Sequence, residues 1–200
     1  MRLAPALLTV TAALAVTAAP ARAETGWTPS ADVSARLARG EVYADVQQGP
    51  GGSSGVVRAA VDIKAPAAVV WKVMLDCAKA GQMVPSVVSC KVTDHDPAGR
   101  WDVREHRVKW NLFLPPMRSV FRSDYTPMRR IAFHCTGGDL KSCDGEWRLD
   151  PLPGGGVRVI YENTAQAPFA APAIVFRVAM RRDVPDALVA LRREAMAAGR

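Results

Sequence analysis

The stretch from Val56 to Asp76, VVRAAVDIKAPAAVVWKVMLD, changes its period in the middle. Val57, Ala59, Val61 and Ile63 alternate with Arg58 and Asp62, the two-residue period of a strand with one buried side. At Ala65-Pro66 the pattern breaks. Pro66 suits the first helical turn, where its missing N–H costs nothing. Val70, Val73, Met74 and Cys77, flanked by Trp71 and Leu75, then recur at helical spacing and form a wide apolar face. A strand that runs through a proline into a helix of this width needs other elements to cover both, and the remaining chain is read for what supplies them.

Upstream, Met1-Arg2 precedes an apolar run from Leu3 to Val16 and an Ala21-Arg22-Ala23 site. A charged start, a short hydrophobic core and an A-x-A site predict a secretory signal peptide over residues 1–23. The run contains Pro5, Thr9 and Thr11 and falls short of the roughly 20 apolar residues of a membrane span. Cleavage after Ala23 leaves a single expected domain over 24–200, with its core at about 40–196. Removing Arg2 and Arg22 from 26 basic residues leaves 24 against 19 acidic ones, a net charge of +5. The arginines are spread over several predicted elements rather than gathered in a stripe with aromatics, which argues against nucleic acid as a partner.

Cys77, Cys90, Cys135 and Cys143 in an exported chain imply two disulfides, with three connectivities open. Pairing neighbours in sequence is the least demanding. Each loop so closed stabilises the fold by about 2–3 kcal/mol in the chain-entropy treatment. No CxxC occurs, and His95, His106 and His134 fall in different elements, so no metal site and no cofactor are expected.

Ser30 to Leu37 reads as a capped helix ending at Gly40, Glu41–Val46 as a strand, and Gln47–Gly55 as the turn of a hairpin into the opening strand. After a bent connection over Lys79–Pro85, six strands are expected: Val87–Thr93, Trp101–Trp110, Met117–Tyr125, Ile131–Cys135, Glu146–Leu149 and Val157–Asn163, with Gly137-Gly138-Asp139 as one of the turns. Such even spacing indicates an antiparallel meander. A long helix from Pro172 to about Ala198 closes the chain. Met180, Val184, Leu188, Leu191 and Ala195 share its apolar face. Pro185 is expected to kink or split it, with Asp183 capping the second segment.

With this order of elements, the chain resembles the START-like (SRPBCC) superfamily, which includes polyketide cyclase/dehydrases, coenzyme-Q-binding START proteins and lipid-transfer START domains. The resemblance rests on Ala60-Val61-Asp62-Ile63-Lys64-Ala65-Pro66 with Val70-Trp71 and Leu75-Asp76. It continues in Val84-Pro85 before Cys90-Lys91-Val92, in Gly145-Glu146-Trp147-Arg148-Leu149, and in Pro185 with Leu188 and Leu191. It implies an α+β helix-grip fold: a curved antiparallel sheet wrapped around the C-terminal helix, with an internal hydrophobic cavity. That family shares no universal catalytic set, so the fold alone does not assign chemistry.

Three features bear on function. The connection Trp110–Met117, WNLFLPPM, is apolar where connections are usually polar. It predicts a cavity mouth or a tip that touches a membrane transiently, against the plainer reading of a loop tucked onto the core. Met117, Ser119, Phe121, Ser123 and Tyr125 share one strand face. In Trp101–Trp110, Trp101 and Val103 give way to Val108 and Trp110 on the opposite parity, so a bulge is expected to switch the faces and turn Glu105 or His106 inward. The expected ligand contacts are Trp110, Phe113, Met117, Phe121, Tyr125 and Tyr161 from loop and sheet, and Met180, Val184 and Leu188 from the closing helix. The leading expectation is an exported monomer that binds or transfers a lipid, quinone, sterol-like or polyketide-like molecule. The alternative is a cyclase or dehydrase using Glu105, His106 or Tyr125 as acid and base; a third possibility is a protein–protein module that uses the apolar loop.

Overall fold

The computed structural model describes residues 26–49, 54–109, 116–166 and 173–199, with side chains from 181 onward in the last segment. Its elements are α1 (Ala31–Ala38), β1 (Val42–Gln48), β2 (Ser54–Ile63), α2 (Ala67–Leu75), a 3-10 turn (Cys77–Lys79), α3 (Ala80–Met83), β3 (Val87–His95), β4 (Trp101–Val108), β5 (Met117–Thr126), β6 (Arg130–Gly138), β7 (Ser142–Pro151), β8 (Val157–Gln166) and α4 (Ala173–Ala198). The eight strands form one antiparallel sheet in the order β1-β2-β8-β7-β6-β5-β4-β3. This is the helix-grip arrangement: the sheet curves around α4, and the expected order of two strands, a helix, six strands and a long helix is present.

The opening stretch builds the solid part of the core. Ala59, Val61 and Ile63 are completely buried, as is Val57 to within 1%, and they share an apolar cluster with Val159 on β8, Val70 and Val73 on α2, and Leu188, Leu191 and Ala195 on α4. Each valine, leucine and isoleucine among them contributes about 1.5–3 kcal/mol by leaving water. Arg58 and Asp62 point to the other face, where they pair with Glu162 and Arg158 across the β2–β8 ladder. That convex face carries α1, whose Val33 and Leu37 cover Ala60 and Ile160. Ser30 caps α1 by accepting the Val33 N–H. Trp27 is tied down by its own backbone: its N–H donates to Glu162 and its carbonyl accepts from Arg148.

Disulfides join Cys77 to Cys90 and Cys135 to Cys143, with Cα atoms 5.4 and 5.0 Å apart, so neighbours in sequence are paired. The first anchors the turn after α2 to edge strand β3; the second crosses between β6 and β7.

The structure differs from expectation at several places. Pro66 is the N-cap of α2 rather than its first helical residue. Gly137 and Gly138 lie within β6, because β6 bulges at Thr136, opposite the Val120–Phe121 step of β5, and keeps pairing as far as Gly138. α4 runs as one helix through Pro185. With no second helix N-terminus to cap, Asp183 instead accepts a short hydrogen bond of 2.5 Å from the Ser86 hydroxyl, which ties α4 to the start of β3. No bulge interrupts the pairing of β4 with β5, a difference with consequences for the site.

Candidate functional site

Because β4 alternates without interruption, Asp102, Arg104, His106 and Val108 share one face throughout, and Trp101, Val103, Glu105 and Arg107 share the other. The polar set is the inward one. Asp102 and Arg104 are buried, and Arg104 Nε donates to both Asp102 oxygens at 3.1 and 2.9 Å. The Arg104 Nη2 group reaches the Leu75 carbonyl at the end of α2 and the Tyr125 hydroxyl on β5, at 3.1 and 3.2 Å. Outside, the Arg122 guanidinium covers the Trp101 ring, 4.2 Å from its centroid, and so shields the aromatic that was expected inside.

Beyond this ionic cluster the concave face is an arc of rings. His106 meets Phe121 edge-on at 4.9 Å, Phe121 meets Phe133 at 6.3 Å, Phe133 stacks on Tyr161 at 6.2 Å, and Tyr161 lies 4.2 Å from Trp147. Gly145, directly opposite Phe133 in the ladder, makes room for it: a Cβ there would stand 2.6 Å from the Phe133 ring.

The arc, α3 and α4 enclose space in two adjoining compartments of about 160 and 190 Å³, both bordered by Val84, His106, Trp147 and Ala187. The first extends to Arg104, Tyr125 and Phe133; the second extends to Met117, Asn163, Asp183 and Val184. Together they fall at the lower end of the roughly 300–1,000 Å³ usual for small-molecule pockets, with the same mixture of apolar walls and few polar groups.

Burial pushes the His106 imidazole down to about 4, helped by the Arg104 charge and partly opposed by Asp102, so His106 is neutral at physiological pH. Burial raises the Tyr125 and Tyr161 hydroxyls, the latter to about 12, which keeps both protonated; the Asn163 amide works in the opposite direction on Tyr161 by hydrogen bonding to it. Burial also works against the Arg104 charge, but its hydrogen bonds to Asp102 prevail and raise it. Among the described residues, His106 Nε2 and Asn163 Oδ1 are buried with no hydrogen-bond partner.

Of the residues expected at the site, Met117, Phe121, Tyr125, Tyr161, Val184 and His106 border the cavity. Leu188 lies in the solid core beside it. Glu105 is on the convex face, held 2.7 Å from Arg118 and away from His106 and Tyr125. Trp110 and Phe113 fall outside the described residues, as does the side chain of Met180. Asp102, Arg104, Phe133, Trp147 and Asn163 were not anticipated as site residues. The first two share the parity of His106, and Asn163 that of Tyr161, so uninterrupted alternation would have found them. Among the described residues no cluster of His, Cys, Asp and Glu is placed to hold a metal, and no helix is long and apolar enough to cross a membrane.

Residues 63–192 match the family described as polyketide cyclase / dehydrase and lipid transport. Similar solved structures include an aromatase/cyclase from Streptomyces sp. R1128, 19% identical over 74% of this chain and 96% of that one, with a TM-score of 0.63. A STAR-related lipid transfer protein fragment from Xanthomonas axonopodis is 18% identical over 78% of this chain and 93% of that one, with a TM-score of 0.64. A START superfamily protein from Mycobacterium smegmatis is 16% identical over 71% and 97%, with a TM-score of 0.57. At these identities the likeness is one of fold. No curated protein matches the sequence. On the match that spans most of the sheet and the closing helix, the chain belongs to the polyketide cyclase/dehydrase and lipid transport family.

Proposed function

We propose that this protein binds or carries a hydrophobic small molecule in the cavity between its sheet and α4. The observation that carries this reading is the aromatic arc: Phe121, Phe133, Trp147 and Tyr161 border space instead of being filled by facing side chains. Burial of ligand surface at about 25 cal/mol per Å² supplies the affinity. Residues 1–23 are read as a signal peptide that delivers the protein to the periplasm or exterior; the two disulfides are consistent with an oxidising compartment. Exported protein beginning at Glu24 by intact mass is the corresponding check.

The test of binding is native mass spectrometry and solvent extraction of protein purified under non-denaturing conditions, beside Ala187→Phe. Ala187 borders both compartments, so a ring in its place fills them. Wild-type protein is expected to carry or take up a hydrophobic molecule and the variant to lose it. A wild-type interior that takes up neither lipid nor quinone would sink the reading.

A second reading is catalysis in the same cavity. It is favoured by the neutral imidazole of His106, able to exchange a proton, near the protonated Tyr125 hydroxyl that Arg104 holds. It requires turnover of a polyketide-like substrate to fall with His106→Ala and Tyr125→Phe and to survive Glu105→Gln.

A further inference from the structure

The wall of the cavity between α2 and β3 is built unlike the others. Asp76, Ala80, Met83 and Val84 border the first compartment, and Val84, Ser86 and Val87 the second. The sheet is hydrogen-bonded strand to strand and α4 has 26 residues, whereas this segment is a 3-10 turn of three residues and a helix of four. Helices so short have little stability of their own. Pro85 stops α3 by holding Val84 extended, at φ −117° and ψ 103°, and Asp76 ahead of the 3-10 turn is extended too, at φ −77° and ψ 95°. A lone extended residue at each end is where a backbone rotation can be absorbed. The N–H groups of Lys79, Ala80 and Val84 donate within the segment, to the carbonyls of Asp76, Cys77 and Ala80.

Its two ends are pinned. On the α2 side, the Cys77–Cys90 disulfide joins β3, and Arg104 holds the Leu75 carbonyl. On the β3 side, the Ser86 hydroxyl donates to Asp183 on α4 and the Ser86 carbonyl accepts the Lys109 N–H. Between the pins, and among the described residues, the side-chain bond that crosses to α4 is the ion pair of Lys79 with Glu194, 3.1 Å long and partly exposed. Gly81 lies flush on the first residue of β3: a Cβ there would stand 2.8 Å from the Val87 carbonyl oxygen.

We propose that residues 78–85 are the door of the cavity, swinging outward between the pins at Cys77 and Ser86, with Lys79 and Glu194 as its latch. The inference rests on the proposed binding of a hydrophobic small molecule in this cavity and adds the route by which that molecule enters and leaves. Opening this segment breaks one ion pair and bares Ala80, Met83 and Val84; opening the sheet breaks a row of backbone hydrogen bonds. The latch is closed with and without ligand, so it governs how fast a ligand exchanges and not how tightly it is held.

The test follows binding of N-phenyl-1-naphthylamine, an uncharged fluorescent probe, to the whole protein by stopped flow. Lys79→Gln and Glu194→Gln are each expected to raise the association and dissociation rates together by about two- to fivefold, the range of a partly exposed ion pair, with Kd unchanged. The double variant rises no further than the singles, because the two residues form one latch. Salt screens the pair, so wild-type exchange quickens from low to high sodium chloride and Lys79→Gln loses that response. Gly81→Ala, which props the segment off β3, quickens exchange as well. Rates that ignore the latch variants and Gly81→Ala overturn the door and leave hydrophobic binding standing. A change in the dissociation rate alone does the same, since it marks a contact with the ligand. Wild-type protein that does not bind the probe overturns the binding reading, and the door with it.

Discussion

The two halves of the concave face are built from the same sheet and covered by the same helix, yet one is solid and the other hollow. On the β2 side, Ala59, Val61, Ile63 and Val159 pack with Leu188, Leu191 and Ala195 in one buried cluster. α4 rests on β1 and β2 and is flanked by α2 and α3. On the β4–β5 half, the inward positions hold Asp102, Arg104, His106, Ser119 and Ser123 beside large rings, and space remains. Small aliphatic side chains let a helix approach a sheet closely; charged and aromatic ones hold it off and must find partners among themselves. The difference teaches that the cavity is a consequence of residue type along two strands, and that its polar members carry the greatest energetic stakes.

The largest effect is expected where the hollow half is most polar. Arg104→Met leaves Asp102 buried without its cation and should destabilise the fold by about 3–5 kcal/mol. Joining it to Asp102→Leu removes both charges and should restore most of the loss in urea unfolding. Equal loss in single and double variants would mean the pair is not an isolated ionic unit. Next comes the direct contrast between halves. Ile63→Ala in the solid half should cost about 2–5 kcal/mol because no neighbour can collapse into the gap. Phe121→Ala in the hollow half should cost less than half as much, despite removing more atoms, because its ring already borders open space. Similar losses at the two sites would erase the distinction drawn here.

The remaining effect is the one with a pH signature. The folded state holds His106 at about 4, below the ordinary histidine value of about 6.5 in the unfolded chain. Between these values the unfolded chain binds the extra proton, so the contribution is fully present above about pH 6.5 and is lost as pH falls towards 4. The loss is on the order of 3 kcal/mol. His106→Phe should flatten this part of the stability profile; an unchanged acid limb would place the titration elsewhere.

Much of the fold was legible because periodicity survives without knowledge of partners. The alternation in Val57–Ile63, the switch at Pro66 and the helical repeat of Val70 and Val73 each depend on a few adjacent residues, and the buried set is the expected one. The pairing of Cys77 with Cys90 and of Cys135 with Cys143 follows from short loops that cost little to close. The site was less legible, and β4 shows why. Trp101 and Val103 look like an inward face, and Arg104 and Asp102 like an outward one. Only the third dimension gives Arg104 an Asp102 carboxylate, the Leu75 carbonyl and the Tyr125 hydroxyl, and gives Trp101 a guanidinium cover. The same holds for Asp183, whose capping role presumed a helix break that packing against Ser86 does not require.

The stretch Val56–Asp76 therefore determined by itself that a half-buried strand turns into a broad apolar helix, because hydrophobic spacing and a proline act locally. The tertiary structure decided which face of β4 is inward and where the rings meet. Those outcomes depend on the hydrogen-bond partners and excluded volume that distant strands bring together, which no local pattern encodes.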